Sequence, residues 1–271
     1  MEVQEDIKQI QKVIFEIFTQ IISLCDKHNI EYFIIGGTAL GAVRHKGFIP
    51  WDDDLDIGMT RKNYEHFLEI AKKELPKDLF LQNFNTETNT PFYFSKIRKN
   101  NTKLVEYYSR NLKIHQGLFI DIFPYDNMPD NASERKKHIK DVNFWINLFI
   151  AKTLTGSSIP QKGIIGHSKL LIRFILHYLL IFVSKNFLFN KIEKVIQKYN
   201  HTESEYKAYI KLPNHKIRSN NLKQLKKIEF EGKLVSCSNN IEDYLSNCFG
   251  DYMKLPPENE RVGHRPYILE I

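Results

Sequence analysis

Asp54-Leu55-Asp56 is the part of this sequence whose residue types most directly call for chemistry. In a strand, side chains alternate faces, so Asp54 and Asp56 point one way while Leu55 and Ile57 point into a core. Two carboxylates side by side repel, and they suit a half-buried strand only if something positive lies between them. A hard cation with oxygen ligands, Mg²⁺ or Mn²⁺, meets that need. Asp52 and Asp53 also read as an acidic turn after Pro50, but a turn does not account for Asp56 inside an apolar run. Asp121, in GLFIDIFPYD, is the third carboxylate, alternating with Phe119 and Phe123 on one face of a strand. A bare charge between two phenylalanines is costly, and sharing the cation of Asp54 and Asp56 removes the cost. Three carboxylates from two strands would hold one or two metal ions and leave positions for phosphate oxygens. The bland alternative is a hydrogen-bonded structural aspartate.

Gly36-Gly37-Thr38 lies between a strand and a helix, where backbone N–H groups can approach an anion at a helix N-terminus. Such turns are common for structural reasons alone, but this one precedes the paired carboxylates by fewer than twenty residues. Lys96 and Arg98 share one strand face, and Arg44 follows the short helix; cations there would hold a diphosphate. Taken singly, each reads equally well as solvated surface.

Elements must position these groups. Ile7, Ile10, Ile14, Ile17, Phe18, Ile21, Leu24 and Cys25 repeat at helical spacing and predict an amphipathic helix ending near Lys27 and His28. EYFII reads as a buried strand, Thr38 to Arg44 as a helix with Thr38 at its N-cap, and WDDDLDIGM as a second strand. Thr60 caps a helix that stops before Pro76. LFLQNF, FYFSKIR and TKLVEY read as strands, and GLFIDIF as a further strand ending at Pro124. Beyond Pro124, residues 131–152 and 164–199 look helical, with short strands around 206–212 and 227–234. IEDYLSNCF is a last helix ended by Gly250.

With 271 residues, 42% hydrophobic and 26% charged, the chain can bury a sizeable core, which excludes disorder as its main state. Cys25, Cys237 and Cys248 lack the spacing of a thiolate zinc site or disulfide framework and read as buried thiols in a reducing compartment. The acidic start MEVQEDIKQ is unlike a signal peptide, so a cytoplasmic location is expected. The net charge of +7 is uneven: residues 1–125 carry −1 and residues 126–271 carry +8. A basic half could face nucleic acid, an anionic membrane, an anionic donor or only water. Residues 170–183 are strongly apolar but hold Arg173 and His177, too interrupted for a span. They read as a buried core helix or, beside Lys169 and Lys185, as an interfacial one on the inner face of the plasma membrane.

The run GGTALGAVRHKGFIPWDDDLDIGM closely resembles the signature of the LicD family, which transfers phosphocholine from CDP-choline to sugars of bacterial surface glycans; related fukutin-type proteins move other alcohol phosphates such as ribitol phosphate. The resemblance continues through FYFSKIRKNNT and GLFIDIFPYD, thins from about 130 to 235, and returns in FGDYMKLPPENERVGH. It implies an α+β nucleotidyltransferase-like fold: a small mixed sheet flanked by helices over 1–128, and a mainly helical, basic, acceptor- or membrane-facing part over 129–271. Position by position it implies that Asp54, Asp56 and Asp121 are the catalytic metal ligands. Gly36, Gly37 and Thr38 match the phosphate turn, with Lys96 the basic position after it. The expected partners are CDP-choline or another CDP-alcohol and a glycan acceptor (lipopolysaccharide or teichoic acid) that a lipid can carry, not nucleic acid. CMP is the product. The rivals are a nucleotidyltransferase that uses a nucleoside triphosphate and releases pyrophosphate, and a non-enzymatic membrane-surface adaptor.

Overall fold

A computed structural model describes residues 2–154, 163–263 and 266–271, and the side chains of 6–154, 171–263 and 266–271. Helix α1 spans Glu2–Lys27 and buries Ile10, Ile14, Ile17, Phe18, Ile21 and Cys25, the stripe its spacing predicts. The chain continues through β1 (Phe33–Ile34), α2 (Gly36–His45), β2 (Asp56–Thr60) and α3 (Arg61–Glu74). Strands β3 (Leu79–Gln82), β4 (Ser95–Lys99), β5 (Lys103–Val105) and β6 (Phe119–Asn127) follow. Then come α4 (Ala132–Thr153), α5 (Gly163–Leu179), α6 (Lys185–Ile196), β7 (Tyr206–Ala208), β8 (Ile217–Arg218), β9 (Lys226–Phe230), β10 (Lys233–Cys237), α7 (Ile241–Phe249) and β11 (Ile268–Glu270).

The main sheet has the order β1-β2-β6-β4-β3, with β2 and β6 parallel and the other neighbours in that path antiparallel. Strand β7 pairs with the far end of β6 and β8 pairs with β7. Helix α1 lies along β6 and β4, while α3 packs on β2 and β6. The fold is therefore α+β with a mixed sheet, as expected. The C-terminal half is less purely helical than its sequence suggests. It adds β7 and β8 to the sheet, a hairpin of β9 and β10, and a β11 that pairs with β5 in a separate ribbon.

Several boundaries differ for identifiable reasons. Thr38 is not the cap of α2, whose N-cap is Ile35; Thr38 lies in the first turn and its hydroxyl is used elsewhere. Strand β6 runs through Pro124 instead of ending there. Asp121 N donates to Leu55 O, so the even-numbered N–H positions of β6 point away from β2. On that side β4 pairs with residues 119–122 and β7 with 126–127. The missing N–H of Pro124 falls in the gap between them, where no ladder bond is lost. Asn131 caps α4, its side chain accepting from the N–H groups of Ser133 and Glu134. Cys25 and Cys237 are buried free thiols, but Cys248 is only half-buried.

The core-helix reading of residues 170–183 fails. From Leu171 to Val183 no side chain is buried. The side chains of Lys169 and Leu170 lie outside the described residues. Among the described residues, no helix is long and apolar enough to cross a membrane.

Candidate active site

Sheet register gathers the predicted residues. Asp56 on β2 is opposite Asp121 on β6, and Asp121 is opposite Lys96 on β4. Residues in register point to the same face of a pleated sheet, so two carboxylates and an ammonium form one row across three strands. Asp54 lies just before β2 rather than within it.

The backbone of Asp56 is fixed from both sides. Its N–H donates to Thr38 Oγ1 at 2.8 Å, and its carbonyl accepts from Ile35 N at 3.2 Å. Thus Thr38 ties the glycine turn to the carboxylate strand. Gly36 has φ +56°, a left-handed conformation that glycine adopts without strain. A methyl group on Gly36 would stand 3.1 Å from Asp56 Oδ2, and one on Gly37 would stand 2.6 Å from Asp52 Oδ2. The two glycines let the turn lie directly against these carboxylates. Asp52, read from sequence as part of a turn, does make that turn through its N–H to Ile49 O. Its carboxylate also belongs to the acidic group.

Electrostatics reflects this crowding. The Asp56 carboxyl is held well above its usual range, first by burial and then by Asp54, Asp121 and Asp52, with Lys96 partly opposing. Asp121 is pushed up to about 6 by burial, an effect that Lys96 limits. Lys96 Nζ is 2.8 Å from Asp121 Oδ1 and 3.1 Å from Oδ2, and donates to Oδ2. It also lies 3.9 Å from Glu106 and 3.4 Å from the centre of the Phe119 ring.

Among the described residues no three carboxylate, histidine or cysteine side chains are already drawn together as a metal-ligand set. The donor chemistry nevertheless fits a hard divalent cation: carboxylate oxygens that repel one another, facing a row with one ammonium. Asp121 Oδ1 is buried without an aligned hydrogen bond among the described residues, which leaves it a lone pair to offer.

The other predicted cations divide. Arg98 is fully buried; its guanidinium donates to Gln82 Oε1 and, at 2.6 Å, to Gly117 O, while Nη2 has no partner among the described residues. It lies against the same Phe119 ring as Lys96, which is buried with it. Arg44 lies in the last turn of α2, donating to Tyr252 O at 3.2 Å. Burial, then Arg261, lowers its pKa, and Arg261 itself stands over the Trp51 ring. Two guanidiniums near each other beside an acidic run would both be relieved by an anion.

Sequence reasoning missed Tyr244. Its hydroxyl accepts from Gly36 N at 2.8 Å, taking up the first free N–H of α2 from 208 residues away. No local signal marks Tyr244, because its role exists only once α7 packs on α2. Glu106 and Arg261 escaped for the same reason.

The model described as LicD/FKTN/FKRP, nucleotidyltransferase domain, matches residues 29–150, which hold Gly36 through Asp121. The chain is 28% identical to the lipopolysaccharide cholinephosphotransferase LicD of Haemophilus influenzae, over 97% of this chain and 98% of that protein. It is 25% identical to the mouse ribitol 5-phosphate transferase FKRP, over 46% of this chain and 23% of that protein. A 57-residue stretch is 47% identical to an uncharacterised protein of Rickettsia typhi.

Proposed function

Residues 29–150 make this chain a member of the LicD/FKTN/FKRP family, whose named relatives are phosphotransferases, and from that premise we propose that it transfers phosphocholine from CDP-choline to a sugar hydroxyl of a bacterial surface glycan, releasing CMP. The coarse statement, an enzyme moving an alcohol phosphate, is common to the named relatives, and the cholinephosphotransferase moves it onto lipopolysaccharide. Choline is preferred over ribitol because the match to the cholinephosphotransferase runs along 97% of the chain, against 46% for the ribitol enzyme. The observation that carries the reading is the row of Asp56, Asp121 and Lys96 beside the glycine turn.

In the proposed reaction the sugar oxygen attacks the β-phosphorus and the bond from that phosphorus to the bridging oxygen breaks. The hydroxyl proton goes to the protein, and CMP leaves. Mg²⁺ or Mn²⁺, held by Asp54, Asp56 and Asp121, would neutralise diphosphate charge. Asp121, in the same row and held by Lys96, is also the group placed to take the hydroxyl proton. The N-terminus of α2, through Gly37 and Thr38, faces the phosphates; Arg44 and Lys96 balance charge developing on CMP. Arg98 acts through the ring it shares with Lys96, keeping Phe119 and thereby Lys96 in place. The three free cysteines suit a reducing cytoplasm.

The test is to incubate the protein and Mg²⁺ with CDP-choline or CDP-ribitol, each with lipopolysaccharide or teichoic acid acceptors, and to measure CMP. Acceptor-dependent CMP from CDP-choline is expected. Pyrophosphate released from a nucleoside triphosphate, with no CMP from either CDP-alcohol, would replace the reading with a nucleotidyltransferase.

A further inference from the structure

From Leu171 on, where its side chains are described, helix α5 is amphipathic the wrong way round for a helix in water. Leu171, Phe174, Tyr178 and Leu179 repeat at helical spacing, and all are exposed, Leu179 by 70%. The polar Arg173 and His177 lie on the half-buried side, His177 Nδ1 standing 3.1 Å from Ala151 O of α4. The apolar surface continues into the turn before α6, where Ile181 is exposed and Phe182 is 98% exposed. Of the nineteen large apolar side chains exposed among the described residues, ten lie between Phe144 and Phe187. Scattered exposed apolar residues need no explanation, but a contiguous patch of this kind marks a contact surface.

Charge identifies what would cover it. From Val142 to Ile192 the sequence has no Asp or Glu in 51 residues, against six Lys or Arg. Among the described residues, Lys152, Lys185 and Lys211 have no carboxylate partner. Lys152 Nζ instead donates to the carbonyls of Leu180 and Ile181 at the end of α5. The electrostatic neighbours of Lys185 and Lys211 are Lys152 and Arg173, which lower their pKa values after burial does. A protein partner would meet an apolar face with carboxylates of its own at certain points. A stretch that sets cations among bulky Leu, Ile and Phe side chains and carries no Asp or Glu from 142 to 192 matches the headgroup layer of an anionic bilayer.

We propose that residues 171–187, the outer face of α5 and the turn into α6, dock this protein peripherally on an anionic lipid surface, with Phe182 at the inserted tip. The helix lies on the membrane; it does not cross it. This surface is separate from the carboxylate row, and the inference does not depend on the transferase reading.

Flotation of the purified full chain with phosphatidylglycerol-containing vesicles, against phosphatidylcholine vesicles, tests it without donor or acceptor. Binding to the anionic vesicles at low salt, falling as salt rises, is expected, with little binding to the neutral ones. Phe182→Asp and Leu179→Asp should each weaken binding by at least about tenfold, as loss of one buried apolar side chain implies. Both positions are exposed, so circular dichroism should match wild type, and either variant alone suffices if the other folds poorly. Three results would overturn the proposal: no flotation with anionic vesicles at low salt, equal binding to neutral vesicles, or a dimer in light scattering that Phe182→Asp dissolves in place of vesicle binding.

Discussion

Asp56 is a charge held against its surroundings. Burial, and then three other carboxylates, raise its pKa, so it favours the fold only while protonated, and that contribution is lost as pH rises through the folded pKa. Asp56→Asn removes the repulsion along with the ligand. The metal-free variant should melt higher than wild type at neutral pH, by about 2–4 °C for each ~1 kcal/mol relieved. Transfer should fall by at least about a hundredfold. Mg²⁺ should raise the melting temperature of wild type and leave the variant unchanged. A variant that melts lower without metal would show that the carboxylate stabilises the fold. His138 provides the opposite case, away from the site. It is buried, and burial followed by Lys198 lowers its pKa, so the folded state keeps it neutral. Below the ordinary imidazole value of 6.5 the unfolded chain takes up a proton that the folded one refuses, and stability is lost as pH falls. His138→Leu removes that linkage. In thermal melts between pH 8 and pH 5.5, wild type should lose stability relative to the variant as pH drops; parallel curves would exclude the effect.

The elements that matter most to the site are joined by a turn whose conformation is set by sterics. Gly36 needs a left-handed backbone and also borders Asp56. Gly36→Ala should cost about 1–2 kcal/mol in stability and most of the activity. Gly232, in the β9–β10 hairpin, is the internal control: its φ is +72° and nothing lies within 4 Å of an added methyl. Gly232→Ala should cost a similar amount of stability and leave CMP release per folded molecule unchanged. Equal loss of activity in both would mean that the Gly36 turn acts through stability alone. The same hairpin braces the chain ahead of β2, since Glu231 Oε1 accepts from Phe48 N at 3.0 Å and Glu231 N donates to Lys46 O at 2.9 Å.

Across the whole molecule, the two halves of the sequence are fastened at the end of the sheet remote from Asp56. Arg61, following β2, grips Asp126 of β6 with two hydrogen bonds of 2.8 and 2.6 Å, and Asn200 adds a third at 2.6 Å. Glu193 of α6 stands 3.6 Å from the same guanidinium. Asp126 is buried, so removing its partner strands a charge. Arg61→Leu should cost about 3–5 kcal/mol, a fall of roughly 10 °C in melting temperature. The variant should keep its turnover at low temperature, because Thr60 is already about 13 Å along β2 from Asp56. A fall in turnover as large as the fall in stability would mean that this cluster shapes the site as well as the fold.

What the sequence determined by itself was everything carried by local pattern. Alternation in DLDIGM and GLFIDIFP was enough to put Asp56 and Asp121 on strands, and helical spacing was enough for α1. The run from Gly36 to Met59 was enough to identify the family later matched over 29–150. Tertiary structure decided the rest, because it depends on which strands become neighbours. Parallel pairing of β2 with β6 put Asp56 opposite Asp121, and antiparallel β4 brought Lys96 to the row while burying Arg98 beside it. The path past Pro124 depended on a gap between two partner strands, and the role of Tyr244 on a helix 208 residues distant. The apolar face of α5 was ambiguous for the same reason: periodicity shows that a helix has an apolar side, but only packing decides whether that side meets the core or the outside.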